Sequence, residues 1–522
     1  MIPQKIIDRN RNLIRVLQPL TPVLAKMTRY GIPLDTRVLK YKSIGWRKEI
    51  AEHFTYLFDA VGERFNVDSS QQMQEILYKK LSLEPVLEKG KPTVNAFAIT
   101  YLYNKYEDDE EISKFLYHHK RARLLRHRLS NFVDKFLIHE ECKKCKGTGF
   151  ENRSKTSICL ACAKTGFGDI IGYDDHYVSE RDGVWYLHPT FLQLAVTGRL
   201  NSKDPNLSQW ARANKKWNIT VRDMIRAPEG YKIVVRDLNK VERLIGAVLF
   251  NSPSVLEEVK LGSRAFTRFA SEAFGIPEEE CAKGTDNYTA FKTAAYADQY
   301  GVHEQTLHKT LMKYDVYFPL EKCKLVLDLL AKKYADMKRH IREFTWQAIN
   351  RGYINTYQGR LFRLGKPYEL HGYQNWTDIH ARGSRSAVIA FEKCCRIVSS
   401  FIIQGTATGD HLQLSLLKTV DAIDRLTKPD FWNPYRPLNG DWDKARVLWP
   451  KHDEIAVLCK EDLVDDVVRI TKECMESIET FEPYLPNPDN GIKFGLESEV
   501  EVFEWWDIPL GDVPDAYKTD EI

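Results

Sequence analysis

Apolar positions in the first quarter of the chain recur with a helical period. Leu17, Leu20, Val23, Leu24 and Met27 share one face, and Leu125, Leu129, Phe132 and Phe136 share another within Lys120 to Phe136. Side chains three and four apart stack on one side of a helix, so both stretches predict amphipathic helices. The pattern breaks between 138 and about 175, where Cys, Lys and Gly replace the large aliphatics. Beyond about 180 it is mixed. Short apolar runs such as Ile233–Val235 and Ile455–Leu458 predict strands, alternating with long helical stretches. No repeat of solenoid period and no low-complexity linker is found. These elements predict an α+β chain: helical over 1–137, a small insert over 138–175, and a mixed remainder.

Composition sharpens this only a little. With 522 residues, 43% apolar and 28% charged, the chain has the makeup of a soluble protein of two to four domains. Seventy-six Lys and Arg against 72 Asp and Glu leave a net charge of +4, so a nucleic-acid partner would need cations segregated onto one face. The N-terminus, MIPQKIIDRN, lacks the apolar core of a signal peptide, and no run is long enough to cross a bilayer. A cytoplasmic protein with no membrane contact is expected. In a reducing compartment, paired cysteines among the ten present are metal ligands before they are disulfides.

Two segments concentrate charge or cysteine. Lys120, Arg121, Arg123, Arg126 and Arg128 crowd one predicted helix. A solvated face explains such a run as well as a phosphate backbone does, the latter with Arg126 and Arg128 as candidate DNA contacts. Cys142-Lys-Lys-Cys145 and Cys159-Leu-Ala-Cys162 are separated by 13 residues. Two such pairs present four thiolates to one tetrahedral ion, the signature of a structural Zn2+ site. Each runs into a glycine-containing turn, and together they resemble the knuckles of DnaJ-type zinc domains. The second copy departs by placing Lys164 and Thr165 where glycines begin.

Phosphodiester synthesis requires two divalent cations about 4 Å apart held by carboxylates. Asp237 ends the strand Ile233-Val-Val-Arg-Asp237, and Asp453-Glu454 opens another in Lys451-His-Asp-Glu-Ile-Ala-Val-Leu458. Between them, Lys292, Tyr296 and Tyr300-Gly301 lie at i, i+4, i+8 and i+9. On a helix, a cation and two aromatic rings along one face suit a triphosphate and a stacked base. A turn-forming Asp and an ordinary amphipathic helix are the bland alternatives for each feature taken alone.

The order of these segments resembles the polymerase region of DNA polymerase I-type, family A enzymes. Thr197-Gly-Arg-Leu-Asn-Ser-Lys-Asp-Pro-Asn-Leu207, Arg236-Asp-Leu-Asn-Lys-Val-Glu-Arg243 (motif A), Lys292 to Gly301 (motif B), Gly352-Tyr-Ile-Asn-Thr356 with Gly359-Arg360, Gln404-Gly-Thr-Ala407 and His452-Asp-Glu454 (motif C) carry the likeness. Upstream, Pro22 to Asp35 and Phe65-Asn-Val-Asp-Ser69 extend it. The resemblance implies a right-hand fold: an antiparallel palm sheet, helical fingers and thumb, and the zinc-binding insert. It divides the chain into thumb (1–137), insert (138–175), palm (176–255), fingers (256–345) and palm (346–522). It implies Asp237 and Asp453 as ligands of two Mg2+ ions, and Glu242 as the block to a 2′-hydroxyl. Lys292 then binds the dNTP triphosphate, Tyr296, Tyr300 and Gly301 shape the nucleotide pocket, and Arg199, Asn206, Arg396, Gln404 and His452 contact primer-template DNA.

The sequence departs from that family at several places. Tyr288 stands where an Arg is usual, and Ser263-Arg-Ala-Phe266 lacks the usual His, leaving Arg264 as a candidate replacement. Lys240 and Arg243-Leu244 replace Gln and Leu-Arg in motif A. Single-subunit RNA polymerases share the two Asp residues and a Lys…Tyr-Gly helix, but Glu242 and the Thr-Gly-Arg-Leu segment favour DNA synthesis. The polymerase-like text begins near Met1, so no 3′–5′ exonuclease domain is expected in this chain. Either the lower fidelity is tolerated, or a separate exonuclease or another replisome subunit supplies proofreading, and the divergence suggests a bacteriophage enzyme.

Overall fold

The computed structural model describes residues 12–193, 195–210, 217–262, 264–356, 358–428, 440–478, 495–506 and 508. Two long helices, α1 (Thr36–Val61) and α2 (Glu110–Phe132), pack side by side. The predicted stripe of α2 is the reason: Leu125, Leu129 and Phe132 are all buried, as is Phe136 in the short turn beyond. In the acidic run Glu107 to Glu111, which has the look of a solvated loop, Glu107 to Asp109 do form the turn before α2, and Glu110 and Glu111 open the helix. Asp109 accepts the Ile112 amide at 3.1 Å, and Glu110 and Glu111 occupy the first turn, where the helix dipole favours negative charge.

The insert is a hairpin-like stem closed by two knuckles. Strands β1 (Leu137–Glu141) and β2 (Phe167–Tyr173) pair antiparallel, with Leu137 opposite Tyr173. Both cysteine pairs lie between them.

Downstream, β3 (Tyr231–Leu238) is the central strand of a four-stranded antiparallel sheet. It leads into α3 (Val241–Leu249), followed by α4 (Pro253–Lys260), α5 (Arg264–Phe274), α6 (Asp286–Gln299), α7 (Ala335–Arg351) and α8 (Arg385–Gln404). A π-helical segment, Gly405–His411, continues from α8. The sheet is completed by β4 (Ala445–Lys451), β5 (Glu454–Lys460) and β6 (Ser498–Phe503), in the order β4-β5-β3-β6, with α9 (Val464–Met475) against it. This is the expected α+β palm with helices gathered before and after it. No helix among the described residues is long and apolar enough to cross a membrane.

Alternation along β3 decides which residues reach the cleft. Arg236 turns onto α9, donating to Thr471 at 3.1 Å and to the Val468 carbonyl at 2.9 Å, and also to Ser498 at 2.8 Å. Its neighbour Asp237 therefore faces the other way.

Candidate active site

The two carboxylates proposed from spacing come together through strand register. In the β3–β5 ladder Asp237 stands opposite Glu454, and the Leu238 amide donates to the Asp453 carbonyl at 3.0 Å. Asp453 sits in the tight turn between β4 and β5, made possible by His452 in the left-handed region at φ 54°. Glu454 is buried and pairs with Arg222 at 3.3 Å. Burial first, and then the charges of Asp237 and Glu454, hold the Asp453 carboxyl well above the usual range. A site that stacks negative charge in this way has the donor chemistry for divalent cations.

Glu242 lies in the first turn of α3 and is held from two sides. Arg199 forms an ion pair with one carboxylate oxygen, and the Tyr300 hydroxyl donates to the other at 2.5 Å. Burial and the Glu242 charge push the Tyr300 phenol far up, so it stays a donor. Arg199 also donates to Thr408 at 3.2 Å, in the π-helical segment that follows Gln404. That segment approaches very closely: a Cβ on Gly409 would lie 2.7 Å from the Thr197 carbonyl, and one on Gly198 only 2.3 Å from the Arg360 guanidinium. Gly409 is thus required by its contact with Thr197, and Gly198 by its contact with Arg360.

Motif B is helical as predicted, but only to Gln299. Tyr300 caps the helix, and Gly301 takes φ 64°, where a Cβ would meet Arg396 at 3.2 Å. Lys292 is exposed on α6. Tyr296 is half-buried and tilted on Phe266 at 6.2 Å, and burial raises its phenol well beyond the usual range. Tyr288 is buried edge-on against the same ring, also at 6.2 Å. An aromatic cluster thus replaces the cation expected there. Arg264, at the start of α5, is exposed.

Lys240, to which the sequence assigns no role, occupies the same region. Its backbone is left-handed at φ 50°, and its ammonium donates to the Gly262 carbonyl and lies 4.6 Å from the Phe266 ring centroid. Burial, opposed by Glu258 and then reinforced by the like charge of Lys292, lowers its pKa. The signal was its position three residues after Asp237; its meaning depended on a contact from the fingers.

The remaining predicted residues spread outward. Gln404 ends α8, half-buried, and His452 is exposed in its turn. Asn206 caps its own short turn, accepting the Ser208 amide at 3.1 Å. Arg126 and Arg128 are on α2, away from this cluster; Arg126 pairs with Asp68 at 2.5 Å and Arg128 donates to the Gln209 carbonyl at 3.2 Å.

The four cysteines of the insert form a separate centre. Their sulfurs all lie within 4.8 Å of one another, with Cys145 and Cys162 at 3.7 Å. Tetrahedral Zn–S bonds of about 2.3 Å put sulfurs about 3.8 Å apart, so the cluster fits that ion. Gly149 and Gly166 donate their amides to Cys145 and Cys162 at 3.2 and 3.3 Å, the same contact four residues on in each knuckle. That equivalence puts Lys164 in the place of Gly147. Both are left-handed, at φ 67° and 76°.

Residues 175–491 match the family model of DNA polymerase family A. The chain is 24% identical to DNA polymerase I of Pseudomonas aeruginosa over 477 residues, covering 90% of this chain and 43% of that protein. It is 25% identical to the thermostable DNA polymerase I of Thermus aquaticus over 467 residues, 89% of this chain and 45% of that one. The chain thus spans less than half the length of these relatives. Among solved structures, the POL domain of Pol1 from M. smegmatis, in complex with DNA primer-template and dNTP, shares the fold. The TM-score is 0.65 at 21% identity, over 94% of this chain and 70% of that one.

Proposed function

The chain belongs to DNA polymerase family A, and from that membership we propose that it is a DNA-templated DNA polymerase, adding deoxynucleotides to a primer 3′-hydroxyl. One observation carries the reading: the register that puts Asp237 beside the Asp453 turn, in a cleft that also holds the Arg199–Glu242–Tyr300 cluster. Asp237 and Asp453 are the residues that would hold two Mg2+ ions. The chemistry such ions supply is acidification of the primer hydroxyl and neutralisation of the triphosphate.

The protein's own groups do the rest. Lys292, Arg264 and Lys240 gather positive charge where the triphosphate binds, compensating for the missing Arg and His. Glu242, fixed by Arg199 and Tyr300, fills the space a 2′-hydroxyl needs. Tyr296 and Tyr300 line the base and sugar side, while Arg199, Asn206, Arg396, Gln404 and His452 face the primer-template. Cys142, Cys145, Cys159 and Cys162 bind one structural Zn2+; four protein ligands leave no open position for a reacting water.

The test is primer extension with Asp237→Asn and Asp453→Asn. Each variant should lose at least about a thousandfold in nucleotide addition, because charge at this position acts in the transition state. Primer-template affinity should stay near that of the wild type. Near-normal turnover in either variant rules the assignment out.

A further inference from the structure

The basic run on α2 is mostly consumed inside the protein. Lys120 pairs with Asp315, Arg121 with Glu49 at 2.7 Å, Arg126 with Asp68 at 2.5 Å, and Arg128 binds the Gln209 carbonyl. Arg123 is the exception: it is exposed and has no carboxylate partner among the described residues. His127, Ser130 and Asn131 follow it at i+4, i+7 and i+8 on the same helix face, and all are exposed.

That face is one wall of a cleft of about 420 Å³, and the second zinc knuckle is the other, through Lys164, Thr165 and Phe167. Lys164 locks the two walls together. Its ammonium donates to Asn66 at 2.7 Å and pairs with Asp68. The acids at the cleft floor are fully compensated: Asp68 takes both Arg126 and Lys164, and Asp134 takes Arg47 at 2.9 Å and Ser43 at 2.7 Å. The cleft is therefore net positive.

Positive charge continues over the knuckles. Lys143 and Lys144 have partners in Asp169 and Glu151, but Lys146, Arg153 and Lys155 are exposed with none among the described residues. In the other direction the end of α2 is tied to the segment carrying Asn206, through Arg128 to Gln209 and Lys135 to Asp204 at 4.0 Å. The end of α2 thus adjoins the segment that carries one of the candidate primer-template contacts.

We propose that α2 and the zinc knuckles form one phosphate-binding wall for the DNA duplex behind the primer terminus, with Arg123, Lys146, Arg153 and Lys155 as its cations. It rests on the polymerase reading. Cations interleaved with His, Ser, Asn and Thr side chains suit phosphate oxygens, which accept from all of them and carry no sequence information. The insert extends the thumb's hold on DNA rather than serving the chemistry.

The experiment measures binding of the zinc-loaded full chain to primer-templates with duplexes of about half a helical turn and about two turns. Lys146→Glu combined with Lys155→Glu should weaken the long duplex at least tenfold more than the short one. The slope of log affinity against log salt should fall by about 2, since each phosphate that is no longer neutralised removes about 0.9. Arg123→Ala, outside the knuckles, should shift the same readout in the same direction, with zinc content unchanged in all variants. If wild type extends primers while every variant keeps its affinity and salt slope on both duplexes, the wall is not a DNA surface, and a protein partner takes its place. If wild type extends no primer at all, it is the polymerase reading that falls.

Discussion

Glu242 shows how much a single side chain depends on its company. It stands at the start of α3, one oxygen paired with Arg199 and the other accepting from Tyr300 at 2.5 Å. Both oxygens are thus engaged, and in the proposed role the side chain would not swing aside for a 2′-hydroxyl. Glu242→Ala should therefore raise ribonucleotide use by about tenfold or more, a change near 1.4 kcal/mol in discrimination, measured as the ratio of kcat/KM for paired ribo- and deoxynucleotides. An unchanged ratio places the sugar gate elsewhere. Glu242 was singled out by the resemblance of its motif, while Lys292, Tyr296 and Tyr300 also stood out by their helical spacing. Lys240 was not legible in this way: its partners Gly262 and Phe266 come from another part of the chain and leave no local trace. The internal partners of the basic run on α2 were hidden for the same reason. A sequence displays five cations but not the acids and carbonyls, from Asp315 to Gln209, that engage four of them.

Among elements, the fingers are joined to the palm by a buried ion pair. Arg243 of α3 and Glu258 of α4 are 1% and 0% exposed at their side chains, with Arg243 Nε 3.1 Å from Glu258. Arg243 also reaches Gln299 of α6 at 3.1 Å, and Tyr334, just before α7, donates to Glu258 at 2.5 Å. Removing one partner strands a charge in the interior. Glu258→Gln should cost about 3–5 kcal/mol in denaturant unfolding, and replacing both partners with Met should cost less than the two single changes together. Additive losses would show that the pair is not coupled. In α2, His119 is buried, and burial, reinforced by Arg123, drives its imidazole down to about 4. A lowered histidine binds its proton in the unfolded chain first. Its neutral form thus favours folding above about pH 6.5, and that benefit is lost as pH falls toward 4. Relative to His119→Gln, wild type should lose up to about 3 kcal/mol across that window, read from unfolding midpoints at each pH; parallel curves would show that His119 is not buried neutral. Helix periodicity announced α2 from Lys120 onward. What it left out was the earlier start at Glu110, which the Asp109 cap fixes at the end of the acidic run.

For the molecule as a whole, the four-cysteine cluster is a local organiser, with Zn2+ as its proposed ion. Elemental analysis should find one zinc per chain, and Cys159→Ser should lose it. Metal release should open residues 142–166 to protease while the palm sheet stays protected, because the four thiolates join the two knuckles to each other, whereas Ile158, Ala163 and the Lys164–Asp68 pair hold them to the body at their base. Loss of the palm at the same time would mean that the insert is part of the main core. The right-hand architecture was legible because its motifs keep their order along the chain. The way the insert leans on the thumb was hidden in one irregular position, Lys164, where a left-handed lysine replaces glycine to reach Asp68. The stem has a consequence for how such a chain arises. Leu137 and Tyr173 face each other across its base, so the insert leaves and re-enters the body at almost one point. A gene encoding a plain hairpin here could acquire the whole four-cysteine module by one in-frame insertion, because both of its ends leave from the same stem. The same geometry makes the segment a cassette, open to deletion, exchange or transplantation between relatives.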